Sequence, residues 1–380
     1  MAGGTDWFRE SFRDEYAKQS AALGRFTLAI FGKTGVGKST LINAIFGEEV
    51  ARTGIGEPVT RGSHLYLDKI GFLGIVDNSG LEVGRDDKQI LAELGEAMKT
   101  MRRLPLAEQI HVAWYCVRGM DRRFEETEAD FIRRLDELGL PVILMLTQGP
   151  MRDGQHHPDA VLLAEQIEAK GLPIAGGRVY LTYAKADPFS GASPHGLTEV
   201  LDATFRVAPD GVHGALVAAQ QVDAARKAKE AQKHIAVAAT SAAAAAASPV
   251  PFSDAAILIP IQLGMMARIA QIYSIKVERA ALMAIASTTA ATSAGRATFT
   301  GLLKMVPGAG TVTGGVVGAS VASTFTFAMG QAWLTVCERA VTGGFGRLGV
   351  VLDDEALRSA FFEEFKNKLS VRRRDPAGKP

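Results

Sequence analysis

The chain has 380 residues, a formal net charge of +1, 47% hydrophobic and 22% charged residues. This is a globular balance with room for two domains and a sizeable core. So even a charge leaves no basic footprint for nucleic acid, and two distant cysteines, Cys116 and Cys337, exclude a disulfide framework or a cysteine-ligated metal. The same cysteine usage suits a reducing compartment. The N-terminus lacks the apolar run of a signal peptide, so a cytoplasmic chain is expected.

In chain order, residues 1–24 read as an amphipathic helix, with Thr5 or Asp6 as cap and Phe8, Phe12 and Tyr16 at helical spacing. Residues 25–208 alternate strands and helices. FTLAIF is a buried strand, followed by a Gly-rich turn and a helix. Further strands are expected at His64–Asp68, Ile70–Val76, Ile110–Val117, Val142–Leu146 and Val179–Thr182, with helices at Glu125–Leu138, Pro158–Lys170 and Leu197–Phe205. Such alternation predicts a mostly parallel sheet with helices on both faces. Residues 209–248 form an Ala-rich linker, read as one long helix from Gly214 to Ala247 and stopped by Pro249 and Pro251. Residues 249–350 are apolar and all-α in pattern, with helices over AAILIPIQLGMMARIAQIYSI and Ala280–Ala294 and a turn at 306–310. Residues 351–380 carry a last amphipathic helix, with Leu357, Phe361, Phe365 and Leu369 four apart, and a basic tail read as disordered.

The chemistry concentrates in three motifs. GKTGVGKS, Gly32 to Ser39, fits G-x-x-x-x-G-K-[ST] between an apolar strand and a helix. Glycines let the backbone curl until its N–H groups converge on phosphate oxygens, and the helix N-terminus adds favourable potential. Gly32, Lys33, Thr34, Gly35, Val36, Gly37, Lys38, Ser39 and Thr40 are the expected cradle. Lys38 bridges β- and γ-phosphates, and Ser39 binds Mg²⁺. Asp77-Asn78-Ser79-Gly80 follows a buried strand, so Asp77 joins the Mg²⁺ shell and Gly80 offers its N–H to the γ-phosphate. Thr60, in a loop between the two, closes on Mg²⁺ and γ-phosphate as a switch residue, with Thr53 as competitor.

At these motifs residues 25–208 resemble the Era/TrmE-like branch of small P-loop GTPases. The resemblance implies an α/β P-loop NTPase of the Ras-like G-domain kind, with GTP/GDP as nucleotide and Mg²⁺ as cofactor. Lys38, Thr60 and Gly80 would be its catalytic residues, and Ser39, Thr60 and Asp77 its metal ligands. It also implies base recognition by an Asn/Thr-Lys-x-Asp motif and a Ser-Ala-Lys motif. Here these read Thr147-Gln148-Gly149-Pro150 and Tyr183-Ala184-Lys185. Thr147, Gln148, Ala184 and Lys185 are the matching positions. Pro150 stands where the family has its guanine acceptor, a loss of about 1.5–3 kcal/mol, so ATP use is an alternative and Asp153 a substitute to consider. Leu81 replaces a water-orienting Gln, and Gly35 stands where some relatives hold K⁺ with Asn. Slow intrinsic turnover, accelerated by self-association or a partner, is expected. Glu82 and Arg85 are either entrants to the site or solvated loop charges, and Arg122 and Arg123 either an arginine finger across a dimer or surface residues.

The segment SPVPFSDAAILIPIQLGMMARIAQIY resembles a bacterial domain of unknown function over about residues 235–350. Two physical readings are open for its apolar helices: a small-residue bundle, soluble or peripheral, or insertion of Val312–Cys337, which carries no charge, into the inner membrane. His156 and His157 read as loop residues without metal partners. The combined expectation is a nucleotide switch coupled to a helical domain, with GTP, a homodimer through the G domain and a membrane surface or bilayer as partners. A scaffold that binds nucleotide with little hydrolysis is the alternative.

Overall fold

The computed structural model describes residues 2–47, 57–60, 63–78, 87–247, 254–284, 315–343 and 354–374. They divide into two units: Leu23–Ala224, and Met1–Ala22 together with Ala225–Pro380.

In the first unit, continuous apolar runs become central strands because both their faces are covered. β1 (Phe26–Phe31), β5 (Val112–Arg118) and β6 (Val142–Thr147) are buried along nearly their whole length. With β2 (Glu57–Thr60), β3 (Ser63–Leu67), β4 (Leu73–Asn78) and β9 (Tyr180–Leu181) they form a seven-stranded sheet in the order β2-β3-β4-β1-β5-β6-β9. β4, β1, β5, β6 and β9 run parallel, and β2 and β3 are antiparallel additions at one edge. Register brings Ile30 level with Asp77, and Arg118 level with Thr147. The C-terminal ends of these strands therefore share one edge, where open α/β sheets bind ligands.

Helices α2 (Lys38–Phe46), α3 (Asp87–Met101), α4 (Glu126–Glu137), α5 (Pro158–Glu168) and α6 (Leu197–Val207) flank the sheet. α4 starts with a capping box between Glu125 and Glu128 and buries Phe131, Ile132 and Leu135. Phe131 meets Phe31 edge-on at 5.2 Å. On α6, Thr204 accepts the indole N–H of fully buried Trp114 at 3.1 Å, and Phe46 stacks on that indole at 5.7 Å. A burial of this size satisfies its one polar atom, as Trp must.

The single helix expected over 214–247 is two. α7 (His213–Ala219) lies in the first unit, and α8 (Ala224–Ala246) begins after a break. Gln220 makes the break: its Nε2 donates to Asp223 O at 2.8 Å and its Oε1 accepts the Asp223 N–H at 2.7 Å. A side chain that replaces backbone partners in this way ends a helix despite favourable propensity.

The second unit is helical. α1 (Ala2–Leu23) buries Phe12 and Tyr16. The Tyr16 hydroxyl donates to Ile275 O at 2.9 Å, and Gln271 Nε2 donates to Tyr16 O at 2.7 Å. α9 (Asp254–Ile272), α10 (Gly315–Val341) and α11 (Asp354–Arg374) follow. Trp333 is fully buried and donates to Met266 O at 2.8 Å. A Cβ on Gly330 would come within 2.8 Å of Ile235 and Met265 side-chain atoms, so the small residue sets how closely α10 approaches α8 and α9. Leu357, Phe361 and Phe365 are buried, and Phe365 packs edge-on against Phe325 at 5.2 Å. The expected amphipathic helix therefore docks on α10, and it continues through Arg372–Arg374, where the basic composition predicts disorder.

Among the described residues no helix is long and apolar enough to cross a membrane. Residues 312–314 of the segment read as a membrane span, residues 285–294 of the Ala280–Ala294 helix, and the 306–310 turn lie outside the described residues.

Candidate nucleotide site

β1 delivers its chain into the turn Gly32–Gly37. Gly32, Gly35 and Gly37 take φ of 130°, 82° and 97°, values open to glycine. A Cβ on Gly32 would overlap the Cys116 carbonyl oxygen of the neighbouring strand, so this residue must be glycine on steric grounds as well. Gly37 precedes α2, so Lys38, Ser39 and Thr40 form its first turn. Lys38 Nζ donates to Gly32 O at 2.8 Å and Lys33 O at 3.1 Å, which folds its ammonium back over the turn. The structure thus brings together a left-handed turn, a helix N-terminus and a lysine held across them, a geometry suited to phosphate. Lys33 sends its side chain elsewhere, pairing with Glu125 at 3.4 Å and Glu128 at 3.6 Å, so only its backbone remains for a phosphate. Burial raises the Glu128 carboxyl above its ordinary value, against the lowering effect of Lys33.

The end of β6 clamps this turn. Thr147 is buried, and its hydroxyl donates to Val36 O. Gln148, in the left-handed region at φ 57°, donates its amide to Gly35 O at 3.0 Å. The next residues are bound on the other side. Gly149 N–H donates to Thr182 O at 3.3 Å, and Gly149 O is 3.0 Å from His195 Nε2. His195 stacks on Tyr183, so the Thr147–Pro150 loop and the Tyr183–Lys185 loop form one connected wall.

A cavity of about 640 Å³ opens along that wall, lined by Gly37, Thr40, Thr147, Gln148, Ala184 and Lys185 among others. The size suits a nucleoside-scale ligand. Asp187 also lines it. Its carboxylate accepts N–H bonds from Phe189 at 3.0 Å and Ser190 at 3.2 Å and the Ser190 hydroxyl at 2.5 Å. The Ser190 hydroxyl and these amides hold its pKa below the ordinary value.

Other expectations change. Thr60 ends strand β2, paired with Ser63, rather than lying in an open loop. Asp77 sits at the C-terminal end of β4 beside Ile30, level with the strand that feeds the cradle. Gly80, Thr53, Leu81, Glu82 and Arg85 lie outside the described residues. Asp153, considered as a base acceptor, occupies the exposed tip between β7 (Met151–Arg152) and β8 (Gln155–His156) and does not line the cavity. Arg122 pairs with Asp159 at 2.6 Å and Arg123 with Glu125 at 3.3 Å. His157 caps α5, accepting the Asp159 N–H at 3.2 Å. No cluster of three metal-ligating side chains occurs among the described residues.

Residues 27–148 match the model of the 50S ribosome-binding GTPase family, and residues 215–343 match that of a domain of unknown function (DUF697). Similar curated proteins include GTPase Der of Bradyrhizobium sp. (strain BTAi1), 32% identical over 34% of this chain and 27% of that protein. GTPase Der of Nitrobacter winogradskyi is 28% identical over 49% of this chain and 36% of that protein. The chain thus spans about a third of the length of the curated relatives it matches. Among solved structures, a probable GTP-binding protein engB is similar, with 21% identity, TM-score 0.33, and coverage of 48% of this chain and 97% of that one.

Proposed function

We propose that the chain joins a P-loop GTPase domain to a helical domain, and that the first binds GTP with Mg²⁺ and hydrolyses it slowly to GDP and phosphate, as a switch acting on the second. The observation that carries this reading is the Gly32–Gly37 turn, with Lys38 folded over it and both Thr147 and Gln148 fastening its carbonyls. Backbone amides of the turn and the first turn of α2 grip the polyphosphate, and Lys38 exchanges its two carbonyl partners for phosphate oxygens. The donor set fits a hard cation: Ser39, Asp77 and Thr60 would hold Mg²⁺, which supplies charge neutralisation on the phosphates. The Gly80 amide would add a donor to the γ-phosphate. Ala184 N–H and Lys185 would border the base.

Turnover is proposed to be slow because the Leu81 side chain has no polar atom to orient water, and self-association through the G domain would supply what is missing. In the helical unit, polar links between helices favour a bundle over a membrane span. Half-buried Gln262 reaches buried Thr326 at 3.2 Å, and exposed Gln232 pairs with buried Gln331. Each link gives a buried side chain its hydrogen-bond partner.

The test is twofold. Purified protein should take up labelled GTP with Mg²⁺, and multiple-turnover phosphate release should exceed that of Lys38→Ala. Release no faster than the variant, with binding retained, would replace the switch by a nucleotide-binding scaffold. Absence of uptake would reject the reading entirely.

A further inference from the structure

The nucleotide wall lacks a carboxylate where related G domains read guanine, because Pro150 occupies that position. The loop around it is committed to other work. Gln148 is fastened to the P-loop turn, and both the amide and the carbonyl of Gly149 are engaged with the opposite strand and His195. Among the described residues lining the cavity, Asp187 alone carries a carboxylate. It stands two positions beyond Lys185, on the same wall as Ala184.

We propose that Asp187 is the base-reading acceptor of this chain, taking the N1–H and 2-amino protons of guanine from the loop after β9 instead of from the end of β6. This rests on the nucleotide-site reading given above. The chemistry is that of paired donors meeting paired acceptors. A carboxylate has two oxygens and about four acceptor positions. Phe189 N–H uses one on Oδ1, while the Ser190 N–H and hydroxyl use Oδ2. Rotating the Ser190 hydroxyl away leaves one position free on each oxygen, and the two amides keep the carboxylate oriented. Adenine offers an unprotonated N1 at the same edge and is rejected because acceptor would face acceptor. The carboxylate is on hand as an anion, and bonds to charged acceptors are the stronger kind. The Asp187 N–H donates to Ala192 O at 2.9 Å and the Ser190 hydroxyl accepts the Ala192 N–H at 3.4 Å, which fixes where the loop sits.

The experiment is nucleotide competition on the full-length protein. GDP, IDP, XDP and ADP compete against a fluorescent GDP analogue, for wild type, Asp187→Asn and Asp187→Ala. Wild type should prefer GDP over IDP, which lacks the 2-amino group, and over ADP by at least about tenfold. Asp187→Asn should lose about ten- to a hundredfold in GDP affinity and gain XDP relative to GDP, because a carboxamide can donate to the xanthine 2-oxygen. ADP affinity should not fall in either variant and should rise where the acceptor facing adenine N1 is removed, and retained ADP binding also reports an intact fold. Wild-type GDP affinity in both Asp187 variants, with GDP binding present, would overturn the assignment and leave the nucleotide site standing. No binding of any nucleotide by wild type would overturn both.

Discussion

Replacing Thr147 by Val tests whether the end of β6 holds the phosphate-binding turn. Thr147 is 4% exposed and Val36 5%. Its hydroxyl has one proton, and that proton is directed at Val36 O, with Val117 O at 3.2 Å as a second neighbour. Val keeps the side chain's shape and removes the donor, leaving a buried carbonyl short of a partner. Leaving such a group unsatisfied costs about 1–3 kcal/mol. With a urea slope of about 2 kcal/mol/M, the midpoint should fall by roughly 0.5–1.5 M. Thr147→Ser is the control: it loses a buried methyl, about 1 kcal/mol, but keeps the bond. Binding separates the two variants further. In Thr147→Val the turn opens part of the time, so the apparent Kd for GDP rises as the competent fraction falls, by up to about tenfold. Thr147→Ser should bind as wild type does. Urea unfolding with fluorescence detection and GDP titration measure both effects. A Val variant within about 0.5 kcal/mol of wild type, with unchanged GDP affinity, would refute the clamp.

Three further outcomes follow from particular contacts. Gly32→Ala should abolish measurable GDP uptake, because φ 130° and the Cys116 carbonyl both exclude a Cβ; retained uptake in a binding assay would contradict the turn geometry. His111 accepts the Thr27 N–H on Nδ1 at 2.8 Å and lies 2.8 Å from Leu106 O through Nε2, so the ring is held neutral. Burial lowers its pKa from 6.5; the stability it contributes is therefore present above 6.5 and lost as pH falls through the lower folded value. Thermal melts of wild type should drop on acidification, and those of His111→Asn should drop less. In the helical unit, burial brings the Lys227 ammonium down to about 7 from 10.5, so stability is present above 10.5 and lost as pH falls toward 7. Lys227→Met removes that loss. Its gain near neutral pH is held to roughly 1–3 kcal/mol because the Ile272 carbonyl, 2.8 Å from Nζ, loses its donor. Urea midpoints that fail to rise at neutral pH would contradict the buried-charge account.

What could be read before folding, and what could not, follows from how far apart the partners lie in sequence. The phosphate turn is local: strand, glycines, lysine and helix fall within Phe26–Phe46, and each residue type is demanded by its own backbone. Thr147 stands out in the sequence only through its match to the family's base-recognition motif, and its bond to Val36 O, 111 positions away, has no sequence signal. β2 went unread because four residues containing Pro58 carry no alternation, and its partner β3 supplies the order. The broken linker was missed for a different reason. Ala-rich composition favours helix through each residue's propensity, while Gln220 and Asp223 override it with two specific bonds. α1 gave away its apolar face but not what covers it, since Gln271 and Ile275 lie more than 250 positions on. Asp187 is the sharpest case. Nothing in its local sequence separates it from any turn aspartate, and the sequence points to Asp153 instead because of its nearness to the motif. Only closure of the sheet, with β9 beside β6, puts one of them on the cavity wall and leaves the other at a hairpin tip. If Asp187 reads the base as proposed, a motif loses its residue while the chemistry survives, because the fold delivers an equivalent group to the same cavity from another strand end.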